Sequence, residues 1–433
     1  MRLFLIAGLI VSSTAAVAAP PPRSDELVYT VRRGDTLIDL AKRGFRRQVD
    51  YLVAQRHNRI ANPRALQPGS ALRIPFRILK TQPIGAKVVA FRGAALVAGA
   101  KPRVGTPVRE GAVLQTGADA FLAIELADGS LLTLPSRSRM KVSSLHRIVL
   151  TGDVVKRFEL IDGRTETEVQ KAKSPGDRFE IQTPVSVAAV RGTKFRVTFG
   201  DDASIAGASV LEGAVSVAAG NRSVEVPQGK GLVASAAGPG EPVALLPKPL
   251  LENPDKLQDE ELVTFAVQPV AGARSYRLQL AADAGFIETF AEAENPGTKL
   301  AFSGIPNGSF FARVTAISPE EIEGFPSTYS FERRRNDVKA EVDEAESCPA
   351  RRCLRFRWRA GGEGERRFRF QLAARPGGMP IIDEPEMAKS EIVITDLPGG
   401  TYYWRIESTL IEAGRRQSKW TDYQELRVAK LKR

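Results

Sequence analysis

Apolar and polar positions follow two different periods near the start of the chain. In YTVRRGDTLIDLAK (29–42), the β-branched and aromatic run 28–31 precedes a polar turn. From Leu37 onward the apolar residues recur at helical spacing, and either Asp35 or Thr36 is placed to cap that helix. This stretch therefore predicts a strand, a turn and a helix.

The same two periods then return in reverse order. YLVAQRHNRI (51–60) carries an apolar stripe that suits a second helix, and the Pro-Gly turn signal at 68–69 precedes a short apolar run at 71–74. A small strand-helix-helix-strand module is thus predicted over residues 28–76.

Residues 82–235 have a different pattern, in which β-like runs of four to six residues alternate with turns such as Ala-Asp-Gly-Ser at 127–130. This pattern predicts an all-β domain. The Pro-rich segment 236–260 follows, and repeated prolines fix φ and remove backbone donors. We expect an extended spacer there.

The last third of the chain repeats itself. RLQLAADAGF (277–286) is echoed by RFQLAARPGG (369–378), and GIPNGSFFARV (304–314) by DLPGGTYYWRI (396–406), both after 92 residues. Each copy has strand-turn-strand content, which favours two tandem β-sandwiches over a solenoid with its shorter repeats. They are placed at 261–335 and 350–430.

The N-terminus has the layout of a secretory signal. One Arg is followed by a short apolar run and by small residues that end at Ala18. We expect cleavage of residues 1–18, a linker at 19–27, and export to the periplasm or cell envelope. A retained anchor is the alternative, although this apolar run is shorter than the roughly 18 residues that span a bilayer. We expect no transmembrane segment after cleavage.

Composition and charge limit the classes of partner that the protein is expected to bind. Of the 433 residues 43% are hydrophobic, enough for real cores, and the net charge of +12 is spread along the chain. Nucleic acid is not expected, because no arginine stripe is interleaved with aromatic residues. Arg32, Arg33, Arg46 and Arg47 around the first module could attract anionic wall polymers, but a solvated surface is the favoured interpretation.

Candidate chemistry is sparse. The cysteines Cys348 and Cys353 could form a disulfide in an oxidising compartment, and free thiols are the alternative. The two histidines, His57 and His146, fall in different predicted domains, which leaves no metal site and no catalytic triad. We predict no enzyme activity, no catalytic residue, no metal and no cofactor.

The first module resembles a LysM domain in YTVRRGDTL (29–37), HNRIANP (57–63) and LQPGSALRIP (66–75). The resemblance implies a βααβ fold and a shallow groove that binds N-acetylglucosamine-containing glycans such as peptidoglycan. Leu37 and Ile60 would pack against the acetamide methyl group. Carried onto this sequence, the groove is lined by Gly34, Asp35, Thr36 and Leu37 on one side and Ile60, Ala61, Asn62 and Pro63 on the other.

The second domain resembles a FecR-type domain, most specifically in RGTKF (191–195) after the strand FEIQTPVSVAAV (179–190). The resemblance implies an all-β periplasmic module. Some relatives relay signals to a sigma factor, which requires a membrane crossing and a cytoplasmic segment that we do not find in this sequence. Within RGTKF we expect Gly192 to form a tight turn and Phe195 to fill the core.

The two repeats resemble fibronectin type III-like modules. The predicted fold class is therefore multidomain and mainly β, with a βααβ module, an all-β domain and two tandem β-sandwiches. We predict an exported, non-enzymatic protein whose LysM module tethers the β-domains to peptidoglycan, where they meet an unknown envelope protein. The alternatives are a periplasmic signalling or regulatory protein of FecR type and a docking accessory of a wall-remodelling or secretion system.

Overall fold

The computed structural model of the protein describes residues 26–200, 204–344, 352–412 and 414–429. The predicted signal 1–18, most of the linker 19–27, and Cys348 lie outside these residues. Signal cleavage and the Cys348–Cys353 bridge therefore stay predictions.

The chain divides into two compact units. The first contains the described residues up to Ile84 together with Leu145–Val155 and Ser174–Asp177, and the second contains the rest. Among the described residues, neither α-helix has the length and apolarity that a membrane crossing requires.

The first unit has the expected strand-helix-helix-strand order, with bounds β1 Glu26–Thr30, α1 Leu37–Gly44, α2 Tyr51–His57, β2 Ala71–Pro75 and β3 Thr81–Pro83. Strands β1 and β2 pair antiparallel, with Glu26 opposite Pro75 and Thr30 opposite Ala71. A short 3-10 turn, Gln48–Asp50, connects the helices. The predicted βααβ arrangement is confirmed.

A hairpin from the middle of the chain completes the core of this unit. Ile148 and Val155 are each 1% exposed and pack in the same cluster as Leu40 and Ile74. Leu150 lies directly against Gly44, so closely that a Cβ at Gly44 would be 2.4 Å from the Cβ of Leu150. The expected contiguous domain 82–235 thus contributes two segments, Leu145–Val155 and Ser174–Asp177, to the first unit.

The next strands are antiparallel, with bounds β4 Ala86–Arg92, β5 Ala95–Val97, β6 Pro107–Val108, β7 Val113–Thr116, β8 Phe121–Leu126, β9 Leu131–Leu134, β10 Arg139–Ile148, β11 Val154–Glu168, β12 Arg178–Gln182, β13 Val187–Val190, β14 Lys194–Phe199, β15 Ile205–Glu212, β16 Ala214–Ala219, β17 Arg222–Pro227, β18 Lys230–Ser235, β19 Gly238–Pro239 and β20 Val243–Ala244. Gly192 adopts φ +105° just before β14, and Phe195 is fully buried. Both match the expectation for RGTKF.

The two repeats each form a pair of sheets. The first has bounds β21 Val263–Ala266, β22 Ser275–Ala281, β23 Thr289–Asn295, β24 Lys299–Phe302, β25 Gly308–Ile317 and β26 Ser327–Arg333. The second has bounds β27 Val338–Glu344, β28 Cys353–Ala360, β29 Glu365–Ala373, β30 Pro380–Met387, β31 Glu391–Thr395, β32 Gly400–Glu412, β33 Arg415–Trp420 and β34 Gln424–Val428.

Sheet order in the first repeat is β23-β22-β25-β26 with the pair β21-β24, and in the second β30-β29-β32-β33 with β27-β28-β31. Phe356, Phe370 and Trp404 are fully buried in the second sandwich, where Phe356 makes edge-to-face contacts with the other two rings. Because β27 pairs with β28, the second sandwich begins at Val338, earlier than the expected residue 350.

The Pro-rich segment is a packed connection and not a free spacer. The Leu245 amide donates to the Gly229 carbonyl, at 2.9 Å, while Leu251 is 5% exposed and bridges to Val267 in the first sandwich. Prolines remove their own donors, but the leucines between them keep theirs and supply apolar surface to bury. The segment therefore joins the FecR-like strands to the first sandwich by contacts along its length.

A buried ion cluster spans this junction. Glu166 of β11 accepts from Arg196 Nε of β14 and from Arg313 Nη1 of β25, both at 2.9 Å. Glu323, just beyond β25, accepts from Arg277 Nη1 at 3.0 Å and lies 3.6 Å from Arg196 Nη1. Charges buried this deeply persist only when they are paired, so the two domains share one set of counter-charges.

Candidate functional site

The first loop of the candidate groove turns at Gly34. This residue adopts φ +88°, a left-handed conformation that side chains other than glycine's rarely tolerate. A Cβ at Gly34 would meet no atom within 4 Å, so the turn faces open space. The backbone here is accessible to a ligand that approaches from outside.

Asp35 holds this loop in shape. Its carboxylate accepts from the Tyr29 hydroxyl and the Arg32 amide, both at 2.8 Å, and from Arg43 Nη2 at 2.6 Å. Burial alone would raise the pKa of Asp35, but the Arg32 amide, the Tyr29 hydroxyl and Arg43 together hold it below its usual range. The side chain, 8% exposed, is thus directed inward.

Thr36, and not Asp35, caps the helix. Its Oγ1 accepts from the Asp39 amide at 3.0 Å and donates to the Asp39 carboxylate at 2.8 Å. The backbone at Thr36 is extended, as an N-cap requires. Of the two capping residues that the sequence left open, the structure selects this one.

The second loop is fixed by two amide side chains. Asn58 donates from Nδ2 to the Ala54 and Arg73 carbonyls, and its Oδ1 accepts from the Arg73 amide. Gln55 Nε2 donates to the Ile60 carbonyl at 3.0 Å. Neither Asn58 nor Gln55 was predicted as a loop residue from the sequence, although an Asn at the end of a helical pattern is the signal that could have indicated Asn58.

One backbone hydrogen bond joins the two loops: the Leu37 amide donates to the Pro63 carbonyl at 2.9 Å. It brings together the two sets of residues that the sequence named. Gly34, Ala61 and Asn62 are exposed, and Asp35, Thr36, Ile60 and Pro63 are half-buried. The two loops are thus adjacent, and they expose backbone polar groups at Gly34, Ala61 and Asn62.

One expected contact is wrong. The Leu37 side chain is fully buried in the core, so it cannot pack against the methyl group of a bound acetamide. The reason is that Leu37 is the first residue of α1 and lies on the helix face that packs against the strands. Ile60 is partly buried against the same core and keeps some exposed apolar surface.

Two family models match this chain. The model described as "LysM domain" matches residues 29–75, and the model described as "FecR protein" matches residues 112–216. The protein thus contains a LysM domain and a FecR-type domain, and these are binding or regulatory families, not catalytic ones.

Relatives cover only parts of the chain. An uncharacterized protein of Deinococcus radiodurans is 39% identical over 72 residues, which is 16% of this chain and 28% of that protein. A putative anti-sigma factor from Parabacteroides distasonis is 18% identical over 30% of this chain and 57% of its own, with a TM-score of 0.25. The chain therefore spans less than two thirds of the length of either relative.

Fibronectin-type structures are also similar to part of the chain. Fibronectin(III)-like modules of Clostridium thermocellum CbhA are 11% identical over 42% of this chain and 94% of theirs, with a TM-score of 0.19. A two-domain fibronectin type III segment from chicken tenascin is 16% identical over 42% of this chain and 99% of its own, with a TM-score of 0.20.

Proposed function

We propose that this protein is an exported component of the cell envelope that binds peptidoglycan through its LysM domain and whose β-domains present surfaces to a protein partner. The observation that supports this most is the hydrogen bond from Leu37 to Pro63, because it joins the two loops of the predicted groove. The groove residues are proposed to be Gly34, Asp35, Thr36, Ile60, Ala61, Asn62 and Pro63, with Leu37 contributing structure only.

The groove suits recognition of an acetamide-bearing sugar. Gly34 and Ala61 leave backbone uncovered on facing loops, and an acetamide needs one donor and one acceptor. Each such hydrogen bond contributes about 0.5–1.5 kcal/mol net. One shallow site should therefore bind weakly, and a polymer that offers many sites compensates by rebinding.

The rest of the chain is proposed to present surfaces to a protein partner in the envelope. The packed segment around Leu245 and Leu251 and the buried pairs of Glu166 and Glu323 connect the FecR-like strands to the first sandwich. A partner bound to either would therefore be held at the wall by the same anchor.

The test is co-sedimentation of the mature protein with purified peptidoglycan. Removing residues 28–76 is a poor variant, since it would strip the apolar partners from Ile148 and Val155. Ala61→Trp instead fills the groove from an exposed position. Val49→Trp is the matched control, because Val49 is 53% exposed in the turn at the opposite end of the two helices.

We expect Ala61→Trp to stay largely in the supernatant, while the wild type and Val49→Trp pellet together. If Ala61→Trp pellets as fully as the wild type, the groove is not the binding site. If the wild type does not pellet at all, the anchor proposal is wrong.

A second candidate function is regulatory. The FecR-model match over residues 112–216 favours it, since a domain of this type can bind a signalling partner. Crosslinking in intact cells separates the candidates: recovery of one signalling protein favours regulation, whereas recovery of one hydrolase or secretion component favours a docking accessory.

A further inference from the structure

The positive charge of the protein is concentrated in the first unit and is not spread along the chain as expected. Residues 26–84 contain 12 Lys or Arg and 4 Asp or Glu, and 12 − 4 gives +8 of the total +12. A charge density this high over a small module creates a local positive potential. Where these charges lie decides what that potential can attract.

Four arginines flank the two groove loops. Arg32 and Arg33 directly precede Gly34, and Arg59 and Arg64 directly flank the segment 60–63. All four side chains are exposed. Within the described part of the chain, none of them forms an ion pair or a side-chain hydrogen bond.

The nearby acid does not neutralise these arginines. Asp35 is turned inward and is already shared by Arg43, Tyr29 and the Arg32 amide. Arg47, by contrast, is paired with Asp50 at 2.8 Å, in the turn at the other end of the helices. Arg32, Arg33, Arg59 and Arg64 are therefore left unneutralised beside the two groove loops, and we call these four residues the rim.

We propose that the groove is selective for a glycan strand that carries carboxylates, and that Arg32, Arg33, Arg59 and Arg64 supply this selectivity. This inference rests on the proposed function. A peptidoglycan strand carries free carboxylates on its stem peptides, whereas a chitin-type strand is a neutral polymer of N-acetylglucosamine. Guanidinium groups match carboxylates in shape and charge, so the rim distinguishes two polymers that the groove alone would bind alike.

The experiment compares three probes by titration at two salt concentrations. They are the neutral N-acetylglucosamine hexamer, purified peptidoglycan, and peptidoglycan whose carboxylates have been amidated. The rim variant is Arg33→Gln/Arg64→Gln. Its charge-matched control is Arg77→Gln/Lys80→Gln, which also removes two exposed cations but lies beyond Pro75, at the end of the β1–β2 pair away from the groove.

We expect the rim variant to bind untreated peptidoglycan roughly two- to tenfold more weakly at low salt, from the usual energy of exposed pairs. The control should stay within about twofold of the wild type. Both differences should shrink as salt rises, since the charges are exposed. Binding of the hexamer should not change in either variant.

Arg59 provides an independent variant that cannot be confused with misfolding. It adopts φ +54° just after α2, a position where glycine is the favoured residue. Arg59→Gly therefore removes a rim charge while relieving backbone strain. It should leave the thermal midpoint unchanged or higher and still weaken binding to untreated peptidoglycan.

The outcomes separate the two proposals. If amidated and untreated peptidoglycan bind equally and the rim variant matches its control, carboxylate selectivity is overturned although glycan binding stands. If neither the hexamer nor any form of peptidoglycan binds, the proposed function itself fails.

Discussion

Neutralising Glu323 tests whether the buried ion cluster holds the FecR-like strands and the first sandwich together. Its side chain is 5% exposed and accepts from Arg277 and from the Thr315 hydroxyl at 2.7 Å, with Arg196 nearby. Glu323→Gln keeps the shape and removes the charge. Arg277 and Arg196, both buried, then lose one shared counter-charge.

The expected loss of stability follows from the ion pairs of Glu323. Removing one partner of a buried pair costs about 3–5 kcal/mol, and Arg277 and Arg196 keep Glu292 and Glu166, which places the expectation at about 2–3 kcal/mol. Burial alone would raise the pKa of Glu323, but Arg196 and Arg277 lower it from 4.5 to about 2. A carboxyl with that pKa stabilises the folded state by about 3 kcal/mol at neutral pH.

Urea unfolding followed by far-UV circular dichroism measures the effect. A loss of about 3 kcal/mol should lower the midpoint by about 1 M urea, given typical slopes. Tryptophan fluorescence is an internal comparison, because Trp358, Trp404 and Trp420 all belong to the second sandwich. We expect the dichroism midpoint to fall more than the fluorescence midpoint.

Glu321→Gln is the matched control. Glu321 is two residues away, 39% exposed, and paired with Arg274 at 3.0 Å, so its neutralisation should cost less than about 1 kcal/mol. If Glu323→Gln unfolds at the same urea concentration as Glu321→Gln and the wild type, the cluster does not stabilise the junction and the reasoning is refuted.

Three further predictions address pH, the groove and the FecR-like turn. Because the folded-state pKa of Glu323 is depressed, its contribution is complete above pH 4.5 and is lost as pH falls through about 2; the difference in urea midpoint between the wild type and Glu323→Gln should narrow over that window, and an unchanged difference at pH 3 would contradict this. Thr36→Ala removes the cap of α1 and should cost about 1 kcal/mol, seen as faster amide exchange in the first turn of the helix, whereas Thr36→Ser should exchange like the wild type. Gly192→Ala should lower the free energy of unfolding by about 1–3 kcal/mol, because φ is +105° and the new Cβ would lie 2.9 Å from the Lys171 Cα. Gly111→Ala, where φ is +88° and no atom lies within 4 Å of the new Cβ, should lower it less. Equal losses in urea unfolding would mean that the close contact at Gly192 is unimportant.

The local structure of this protein could be predicted from sequence because it depends on neighbours in the chain. The periods of apolar residues gave β1, α1, α2 and β2, and the 92-residue echo gave two similar sandwiches. Gly192 and Phe195 were assigned correctly for the same reason: a positive φ and a buried aromatic at a strand start are properties of a short segment. The two loops that the sequence named are adjacent, joined by the hydrogen bond from the Leu37 amide to the Pro63 carbonyl, while their role as a glycan groove stays a prediction.

Only the tertiary structure decided which side chains face the groove and which segments pack together. The Leu37 side chain is buried because it lies on the core-facing side of α1. Asp35 fixes the loop conformation because its carboxylate accepts hydrogen bonds from Tyr29 and Arg43. The hairpin at 145–155 and the contact of Glu166 with Arg313 join residues far apart in sequence. A periodic pattern specifies that a face must be buried, but the partner that buries it is chosen by shape and charge across the whole fold.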